Sequence, residues 1–376
     1  MSVVRPVAFY APLKSPDHPS PSGDRTMARL LLTALERAGF DPHLASDLRS
    51  LDKVGDRGIQ EAIRDRALDE AARLVARYRT LPEEQRPRLW FTYHVYYKAP
   101  DWIGPLVADA LHIPYAIAEG SRASKRAEGP WALGHQGAEE ALDRADAIFV
   151  MTAKDRTALE AAKPSRQVLV DLPPFLDERE WPEPAMRPPE QAEPRLLTVA
   201  MMREGDKLAS YRILAAALER IARHPWSLDI VGDGEAQDEI AHLFAPFGSR
   251  IRFHGRIESK AALKALYEQA DLLVWPAVNE AYGMVLLEAQ INGCPVVAGA
   301  YGGVASVVMD GRTGLLTRPG DAGAFADAVE ELLSDRGRLR LLGSAAARFV
   351  REERHLDAAA LRLRNALTPL MLDQGA

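Results

Sequence analysis

The 376-residue sequence contains little cysteine, no long apolar run and no excess of basic residues. Its single cysteine, Cys294, excludes an internal disulfide, and its place in an apolar run predicts a buried small side chain. No stretch approaches the roughly 18 apolar residues that span a membrane. The formal net charge is -6, whereas general nucleic-acid binders carry a basic excess. We therefore expect a cytoplasmic protein with at most peripheral membrane contact and no nucleic-acid partner.

Two chemical signatures are also missing. The sequence has no Asp-X-Asp motif and no His/Cys cluster with metal-ligand spacing, so we expect no metal site and no cofactor. The first loop carries one glycine, Gly23, instead of the G-x-G-x-x-G pattern of dinucleotide-binding enzymes. The sequence therefore argues against an NAD-dependent oxidoreductase.

Strand-like apolar runs alternate with helical patterns twice along the chain. This alternation predicts two doubly wound parallel sheets of the α/β class. Between them, the segment 173–194 contains seven prolines, which are incompatible with regular helix and central strand. We predict an N-terminal Rossmann-like domain over 1–180, a linker over 181–194, a second Rossmann-like domain over 195–350 and a C-terminal helix over 351–376.

The position of a ligand follows from this architecture. Open parallel sheets bind ligands at the carboxyl ends of their strands. Two such sheets facing across a cleft would provide a site for a substrate with two parts. Polar residues that follow the strands of each predicted domain are therefore the candidates for binding such a ligand.

Two carboxylates in the segment 275–314 are the most informative residues. Glu280 follows a strand, and Glu288 comes eight positions later inside the next helix, on a face with apolar neighbours. A carboxylate on such a face needs a partner. Either a ribose diol or an internal Arg or Lys would satisfy Glu288. Glu280 precedes the N–H groups of Tyr282, Gly283 and Met284, which would favour an oxygen-rich ligand; an ordinary helix-capping role is the alternative.

The same segment continues with GCPVVAGAYGGV and DGRTGLL. Together with the spaced glutamates, this pattern resembles the donor site of retaining glycosyltransferases of family 4, within glycosyl transferases group 1, which have the GT-B fold. The resemblance covers nearly the whole chain and is strongest from Leu196 to Leu316. It implies two facing Rossmann-like domains, with the C-terminal helix crossing back to the first.

The resemblance assigns donor-binding roles to specific residues. Glu280 would contact the sugar hydroxyls, the backbone of Tyr282, Gly283 and Met284 the sugar and phosphates, and Glu288 the ribose. Lys207 matches the family's diphosphate-binding lysine, whereas Met201 occupies the usual arginine position and Arg203 stands two residues later as its replacement. The remaining donor-binding candidates are Gly23, Gly232, Gly234 and Arg256.

The N-terminal domain is expected to bind the acceptor. In the stretch AIAEGSR, Glu119 stands nearest to the place where many relatives have a catalytic histidine; a structural hydrogen-bonding role is equally open. The loop YHVYYKAPDW offers aromatic rings that stack on sugars or pack in the local core. His94, Lys98, Lys125 and Arg126 are the acceptor-binding candidates, the cations being suited to an anionic acceptor.

The implied function is hexosyltransferase-type transfer with retention of anomeric configuration and without a metal. The donor would be a nucleotide sugar, bound as substrate rather than cofactor, and the acceptor a sugar or lipid-linked sugar. A catalytically weak or inactive GT-B protein that binds nucleotide sugars is the alternative, and Met201 at the arginine position favours it.

Overall fold

The computed structural model describes residues 5–20, 22–183 and 193–372. The chain divides into two compact units, the first formed by residues 1–173 and 356–376 and the second by residues 174–355. Residues 184–192, which belong to the predicted linker, lie outside the described part of the chain. No helix of the described residues is long and apolar enough to cross a membrane.

Unit 1 is built from alternating strands and helices. In chain order they are β1 (Pro6–Tyr10), α1 (Gly23–Arg37), β2 (Asp41–Ser46), α2 (Arg57–Thr80), β3 (Leu89–Val95), α3 (Gly104–Leu111), β4 (Tyr115–Gly120), α4 (Ala132–Arg144), β5 (Ala147–Val150), α5 (Ala153–Ala161) and β6 (Val168–Asp171).

The first sheet has the strand order β2-β1-β3-β4-β5-β6, and all its neighbouring strands are parallel. Strands β1, β4 and β5 are buried along their whole length, as continuous apolar runs in parallel sheets predict. Helices cover this sheet through side chains such as Leu74, Val107 and Leu142. The predicted doubly wound class is confirmed for this unit.

Unit 2 repeats the pattern. Its elements are β7 (Arg195–Val199), α6 (Asp206–Arg220), β8 (Ser227–Val231), α7 (Gln237–Phe244), β9 (Ile251–Gly255), α8 (Lys260–Gln269), β10 (Leu272–Trp275), α9 (Met284–Ile291), β11 (Val296–Gly299), β12 (Gly314–Thr317), α10 (Ala322–Ser334) and α11 (Arg336–Glu353). The strand order is β12-β11-β10-β7-β8-β9, again with parallel neighbours.

The last helix, α12 (Leu356–Leu372), belongs to unit 1 although it follows unit 2 in the chain. It packs against α1. Arg37 and Asp357 form an ion pair at 2.6 Å between these helices, and the Arg364 guanidinium donates to the carbonyl of Ala38 at 2.8 Å. The apolar face of α12, which includes Leu363 and Leu367, is fully buried.

Candidate active site

The donor-site candidates of unit 2 gather at one edge of its sheet. They lie in the segments that follow the carboxyl ends of four strands: Arg203 and Lys207 after β7, Gly232 and Gly234 after β8, Arg256 after β9, and Glu280, Tyr282, Gly283, Met284 and Glu288 after β10. Because β10, β7, β8 and β9 are consecutive in the sheet, these segments are neighbours in space. The remaining donor candidate, Gly23, belongs to unit 1.

Glu280 and Lys207 form an ion pair. Glu280 Oε1 also accepts a hydrogen bond from the indole Nε1 of Trp275 at 3.2 Å. The ammonium of Lys207 lies 5.5 Å from the centroid of the Trp275 ring, within cation–π range. Both charged side chains remain partly accessible, at 24% for Lys207 and 17% for Glu280. A fixed carboxylate and a fixed cation therefore lie side by side at the sheet edge.

The loop that carries Glu280 is fastened to the start of α6. The Asn279 amide donates to Asp206 at 2.8 Å, and the backbone N–H of Val278 donates to Ser210 Oγ at 2.9 Å. Ala277 and Asn279 have left-handed φ values of 57° and 50°, which cost free energy in non-glycine residues. These side-chain contacts hold the loop in that conformation, so the position of Glu280 is tied to that of Lys207.

A glycine turn supports the same loop from the direction of β11. Gly302 has a φ of 50°, and a Cβ atom added there would lie 2.2 Å from the carbonyl oxygen of Glu280. The N–H of Gly303 donates to the carbonyl of Ala281 at 2.6 Å. Only glycine permits this approach, which explains the AYGG sequence that follows β11.

Glu288 points its carboxylate at a tyrosine. Its Oε2 accepts a hydrogen bond from the Tyr267 hydroxyl at 3.0 Å. Within the described residues no cation lies within ion-pair distance of Glu288; Lys260, whose charge acts on Glu288 and lowers its pKa, forms its ion pair with Glu180. Burial raises the pKa of Glu288, against the lowering effect of the Tyr267 hydrogen bond.

Gly283 initiates the helix that carries Glu288. It is the N-cap of α9, with φ 78° and ψ 87°, and Met284 is the first helical residue. The first N–H groups of a helix have no partner within the helix, and their dipoles favour an anion. Tyr282 and Met284 are both buried, so the backbone rather than these side chains would meet a ligand.

Gly232 and Gly234 allow two strand-end segments to touch. A Cβ atom on Gly232 would lie 1.9 Å from the carbonyl oxygen of Ala200, and one on Gly234 would lie 2.3 Å from that of Met202. The Met202 N–H also donates to the carbonyl of Asp233 at 2.8 Å. The two glycines thus set the position of the segment after β7.

The two arginine candidates of unit 2 are exposed. Arg203 lies on the segment after β7, and among the described residues its guanidinium has no carboxylate partner. Met201, which occupies the family's arginine position, is partly exposed. Arg256 pairs with Glu258 at 3.1 Å, and both side chains are largely exposed.

In unit 1, the candidates His94 and Glu119 meet Asp24, the residue next to Gly23, at the carboxyl ends of β3 and β4. Gly23 is the first residue of α1, capped by Ser22, and Asp24 follows it in the first turn. The Nδ1 atom of His94 lies 3.2 Å from Asp24 Oδ1 and 3.7 Å from Glu119 Oε1. Glu119 is only 5% exposed. The structure therefore brings His94 and Glu119 together, with Asp24 as a third member.

The backbone is strained at this cluster. His94 has a φ of 65° and Glu119 a φ of 61°, both in the left-handed region. The pairs Tyr93–Ala118 and Val95–Gly120 flank them in the ladder, so the two strained residues lie opposite each other in adjacent strands. Such strain persists only where the surroundings enforce it, and it concentrates at functional sites.

Electrostatics favours the charged form of His94. Burial lowers its pKa, but the charge of Glu119 and the hydrogen bond of Asp24 outweigh burial and raise the pKa to about 9. Asp155 on α5 acts in the same direction. Burial raises the pKa of Glu119, whereas the charge of His94 opposes this effect. At neutral pH the cluster therefore holds an imidazolium.

This arrangement predicts a pH dependence of stability. A histidine whose folded pKa is about 9, against roughly 6.5 unfolded, stabilises the fold below pH 6.5 and loses that contribution as the pH rises to 9. Over this pH range the free energy of unfolding should fall by up to about 3 kcal/mol. In His94→Asn, where asparagine tolerates the left-handed φ, this part of the pH dependence should disappear from urea-unfolding curves measured between pH 6.5 and 9.

His112→Asn is the matched control. His112 also has a left-handed φ, of 53°, but it is exposed and has no carboxylate partner among the described residues. Its substitution should leave the pH dependence of wild type intact. Identical pH profiles for wild type and His94→Asn would contradict the imidazolium assignment.

Of the three remaining acceptor candidates, Lys98 and Arg126 lie near two aromatic rings, whereas Lys125 does not. Lys98 Nζ is 5.8 Å from the ring centroid of Tyr97 and 5.1 Å from that of Trp131. The guanidinium carbon of Arg126 is 5.3 Å and 5.2 Å from the same two rings. Lys125 is exposed and shows no ring contact in the described part of the chain.

Four residues of these sites were not identified from the sequence. Trp275 and Tyr267 hold Glu280 and Glu288, and Asp24 and Trp131 complete the clusters of unit 1. Trp275 is the last residue of a strand, and Asp24 lies next to Gly23 at the start of a helix. Their positions in the sequence could therefore have identified both as site residues. Tyr267 lies 21 positions from Glu288, and Trp131, although close in sequence to Arg126, lies in a different segment from Tyr97 and Lys98, so no local pattern marks either residue. Over the described ranges, no three His, Cys, Asp or Glu side chains are grouped to hold a metal ion.

Comparison with known sequences gives the family of unit 2. Residues 193–335 match the model described as Glycosyl transferases group 1. The D-inositol 3-phosphate glycosyltransferase of Nocardia farcinica is 30% identical over 282 residues, which are 69% of this chain and 62% of that protein. The same-named protein of Corynebacterium aurimucosum is 42% identical over 109 residues, 29% of this chain and 26% of its own length. These alignments thus span less than two thirds of the relatives.

Solved structures share the architecture of the whole chain. Sucrose-phosphate synthase from Thermosynechococcus elongatus has a TM-score of 0.74 at 21% identity and covers 98% of this chain and 100% of its own. Anabaena HepE in complex with UDP-glucose has a TM-score of 0.66 at 16% identity, covering 97% and 99%. At these identities the likeness concerns the fold.

The two doubly wound units and these neighbours define a protein of the GT-B fold. Within it, residues 193–335 form a glycosyl transferases group 1 domain, which confirms the resemblance recognised in the sequence.

Proposed function

We propose that the protein transfers a sugar from a nucleotide-sugar donor to an acceptor, with retention of anomeric configuration and without a metal ion. The observation that carries the proposal is the Lys207–Glu280 ion pair beside the N-terminus of α9, with Glu288 further along that helix. These groups match the three parts of such a donor: sugar, diphosphate and ribose.

Each group has a defined task in the proposal. The carboxylate of Glu280 accepts hydrogen bonds from the sugar hydroxyls, and that of Glu288 accepts them from the ribose diol. Lys207, Arg203 and the first N–H groups of α9 neutralise the charge that develops on the departing diphosphate. The carbon–oxygen bond to the diphosphate breaks while a bond from the acceptor oxygen forms on the same face. The acceptor proton leaves with the diphosphate.

Three further residues complete the donor site in this proposal. Gly232 and Gly234 keep the backbone close to the base, and Arg256 lies at the nucleoside end. Unit 1 receives the acceptor through His94, Lys98, Lys125 and Arg126. Gly23 lies at the N-terminus of α1 in the same unit. Glu119 acts through His94 in this scheme, because it is buried and lies 3.7 Å from that imidazole.

Nucleotide-sugar screening tests the proposal. Thermal shifts should reveal stabilisation by one of the UDP-, GDP- or ADP-sugars, and UDP-glucose heads the panel because HepE binds it. The ligand that binds should then be turned over slowly to free sugar and nucleoside diphosphate. D-Inositol 3-phosphate is the first acceptor to try, since the curated relatives are named for it. NMR of the product anomer tests retention, and EDTA tests metal independence.

The alternative is a GT-B protein that binds nucleotide sugars without turning them over. Met201 at the family's arginine position is the observation that favours it. Stabilisation by a nucleotide sugar without any release of nucleoside diphosphate would support this alternative. Replacing Met201 by arginine would then be expected to raise turnover, because it restores a cation next to the diphosphate.

A further inference from the structure

The buried indole of Trp275 lies against both charged residues of the donor site in unit 2. Trp275 is the last residue of β10 and is only 1% exposed. Its ring meets that of Tyr211 edge to face, with centroids 5.1 Å apart, and the Tyr211 hydroxyl donates to the carbonyl of Ala200 at 2.9 Å. The indole is therefore fixed through contacts that involve neither Glu280 nor Lys207.

Two parts of this indole contact groups of opposite charge. Its Nε1–H donates to Glu280 Oε1 at 3.2 Å, whereas the ring centroid lies 5.5 Å from Lys207 Nζ. The N–H edge of an indole suits a carboxylate, and its negative face suits an ammonium. Removing the N–H while keeping an aromatic ring should therefore affect Glu280 more than Lys207.

Both donors to Glu280 converge on one of its two oxygens. Oε1 accepts from the Lys207 ammonium and from the Trp275 indole. Oε2 has no hydrogen-bond partner within the described part of the chain, and the side chain is 17% exposed. Because an ionised carboxylate accepts about four hydrogen bonds in all, Oε2 is available to the hydroxyls of a sugar.

Binding of a nucleoside diphosphate would change the partners of Lys207. In the proposed function its ammonium neutralises the diphosphate, so its contact with Glu280 weakens when the donor binds. Glu280 would then be a partly buried carboxylate that has lost its cation, which costs free energy unless another donor remains. The indole N–H of Trp275 is a donor to Glu280 that the diphosphate does not remove.

We propose that Trp275 is a positioning residue, which keeps Glu280 directed at the donor sugar while Lys207 turns from the carboxylate to the diphosphate. The inference rests on the proposed function and adds to it a residue that acts through Glu280. The indole N–H holds Oε1, and Oε2 accepts hydrogen bonds from the sugar hydroxyls. Loss of this N–H should therefore slow turnover without weakening nucleoside diphosphate binding.

Trp275→Phe tests the inference in the full-length protein, because it removes the N–H and keeps an aromatic ring beside Lys207. Hydrolysis of UDP-glucose and calorimetric titration with UDP are measured; GDP- and ADP-glucose with their diphosphates replace them if wild type does not turn over UDP-glucose. We expect kcat to fall about tenfold, as for the loss of one hydrogen bond to a charged group, while the Kd of the diphosphate stays within twofold of wild type.

Trp226→Phe is the matched control. Trp226 is also fully buried in unit 2, and its Nε1–H donates to the carbonyl of Ile221 at 3.1 Å. Its ring likewise lies near a cation, 4.9 Å from the Arg250 guanidinium carbon. Trp226 directly precedes β8, at the amino end of the strand and away from the donor site. The control should lose stability in urea unfolding, as Trp275→Phe should, but keep the wild-type kcat.

Two further measurements separate positioning from a merely structural role. The indole N–H proton signal of Trp275, assigned by NMR through Trp275→Phe, should keep its downfield position when UDP saturates the protein, and it should move upfield in Glu280→Gln. The double variant of Trp275→Phe and Glu280→Gln should hydrolyse the nucleotide sugar no more than twofold more slowly than Glu280→Gln alone, because the indole acts through that carboxylate.

Three results would overturn the inference and leave the proposed function intact. They are a kcat of Trp275→Phe within twofold of wild type, an equal loss of kcat in Trp226→Phe, and losses that multiply in the double variant. In each case wild type still hydrolyses the nucleotide sugar. If wild type turns over none of the three nucleotide sugars, the proposed function itself fails, and the role of Trp275 fails with it.

Discussion

Replacing Glu280 by glutamine is expected to lower the rate of sugar transfer about 10- to 100-fold while nucleoside diphosphate binding is retained. The amide keeps the shape of the side chain but loses the charge that accepts hydrogen bonds from the sugar hydroxyls, a loss of about 1.5–3 kcal/mol. Lys207, freed from its ion pair with Glu280, keeps its charge for the diphosphate. Steady-state kinetics and calorimetric titration with the nucleoside diphosphate measure the two effects.

Glu219→Gln is the control for this substitution. Glu219 is exposed near the carboxyl end of α6, the helix whose first turn carries Lys207, so the same chemical change is made away from the sheet edge. Its kinetics should match wild type. A Glu280→Gln variant that loses nucleotide affinity as strongly as turnover would contradict the assignment of Glu280 to the sugar.

Replacing Lys207 by methionine should reduce kcat/KM about a hundredfold, because a fixed cation no longer meets the charge on the departing diphosphate. Unlike Glu280→Gln, it should also weaken nucleoside diphosphate binding, by about tenfold. The variant leaves Glu280 partly buried without its cation, so stability is to be checked by urea unfolding. Lys207→Arg, which keeps the charge, should recover part of the rate.

Because Lys207 and Glu280 contact each other, their substitutions should not be additive. The double variant is expected to lose less than the product of the two single losses. Arg220→Gln, in the last turn of α6, provides the control for loss of a positive charge on the same helix. Strict additivity of the Lys207 and Glu280 effects would show that the ion pair does not operate as one unit.

Much of the fold could be predicted because each strand is a short apolar run with a clear end. The apolar patterns of the sequence predict strands over Ser227–Val231 and Leu272–Trp275 and a helix over Lys260–Gln269. These bounds coincide with those of β8, β10 and α8, and each element is delimited by turn or capping residues. The short elements α3, α5 and β6 were not predicted. The strand β6 lies at the edge of the sheet and is at most half-buried, so it lacks the apolar signature of its neighbours.

The candidate sites were predictable only where their residues follow strands directly. Lys207 and Glu280 follow β7 and β10, which are adjacent in the sheet, so their meeting follows from topology. The left-handed backbone of His94 and Glu119 has no sequence signature, since neither residue is a glycine or an asparagine. Likewise, Tyr267 reaches Glu288 from a different helix, α8, and only the packing of α8 and α9 brings the two together.

The nucleotide affinity of a Glu288→Gln variant decides whether Glu288 holds the ribose of a nucleotide. Calorimetric titration with the nucleoside diphosphate found in the screen should give a Kd about 10- to 100-fold above wild type. Tyr267→Phe, which removes only the 3.0 Å hydrogen bond to Glu288, should remain near wild type. Unchanged nucleotide affinity in Glu288→Gln, or an equal loss in Tyr267→Phe, would contradict a ligand-binding role and leave Glu288 as a structural residue.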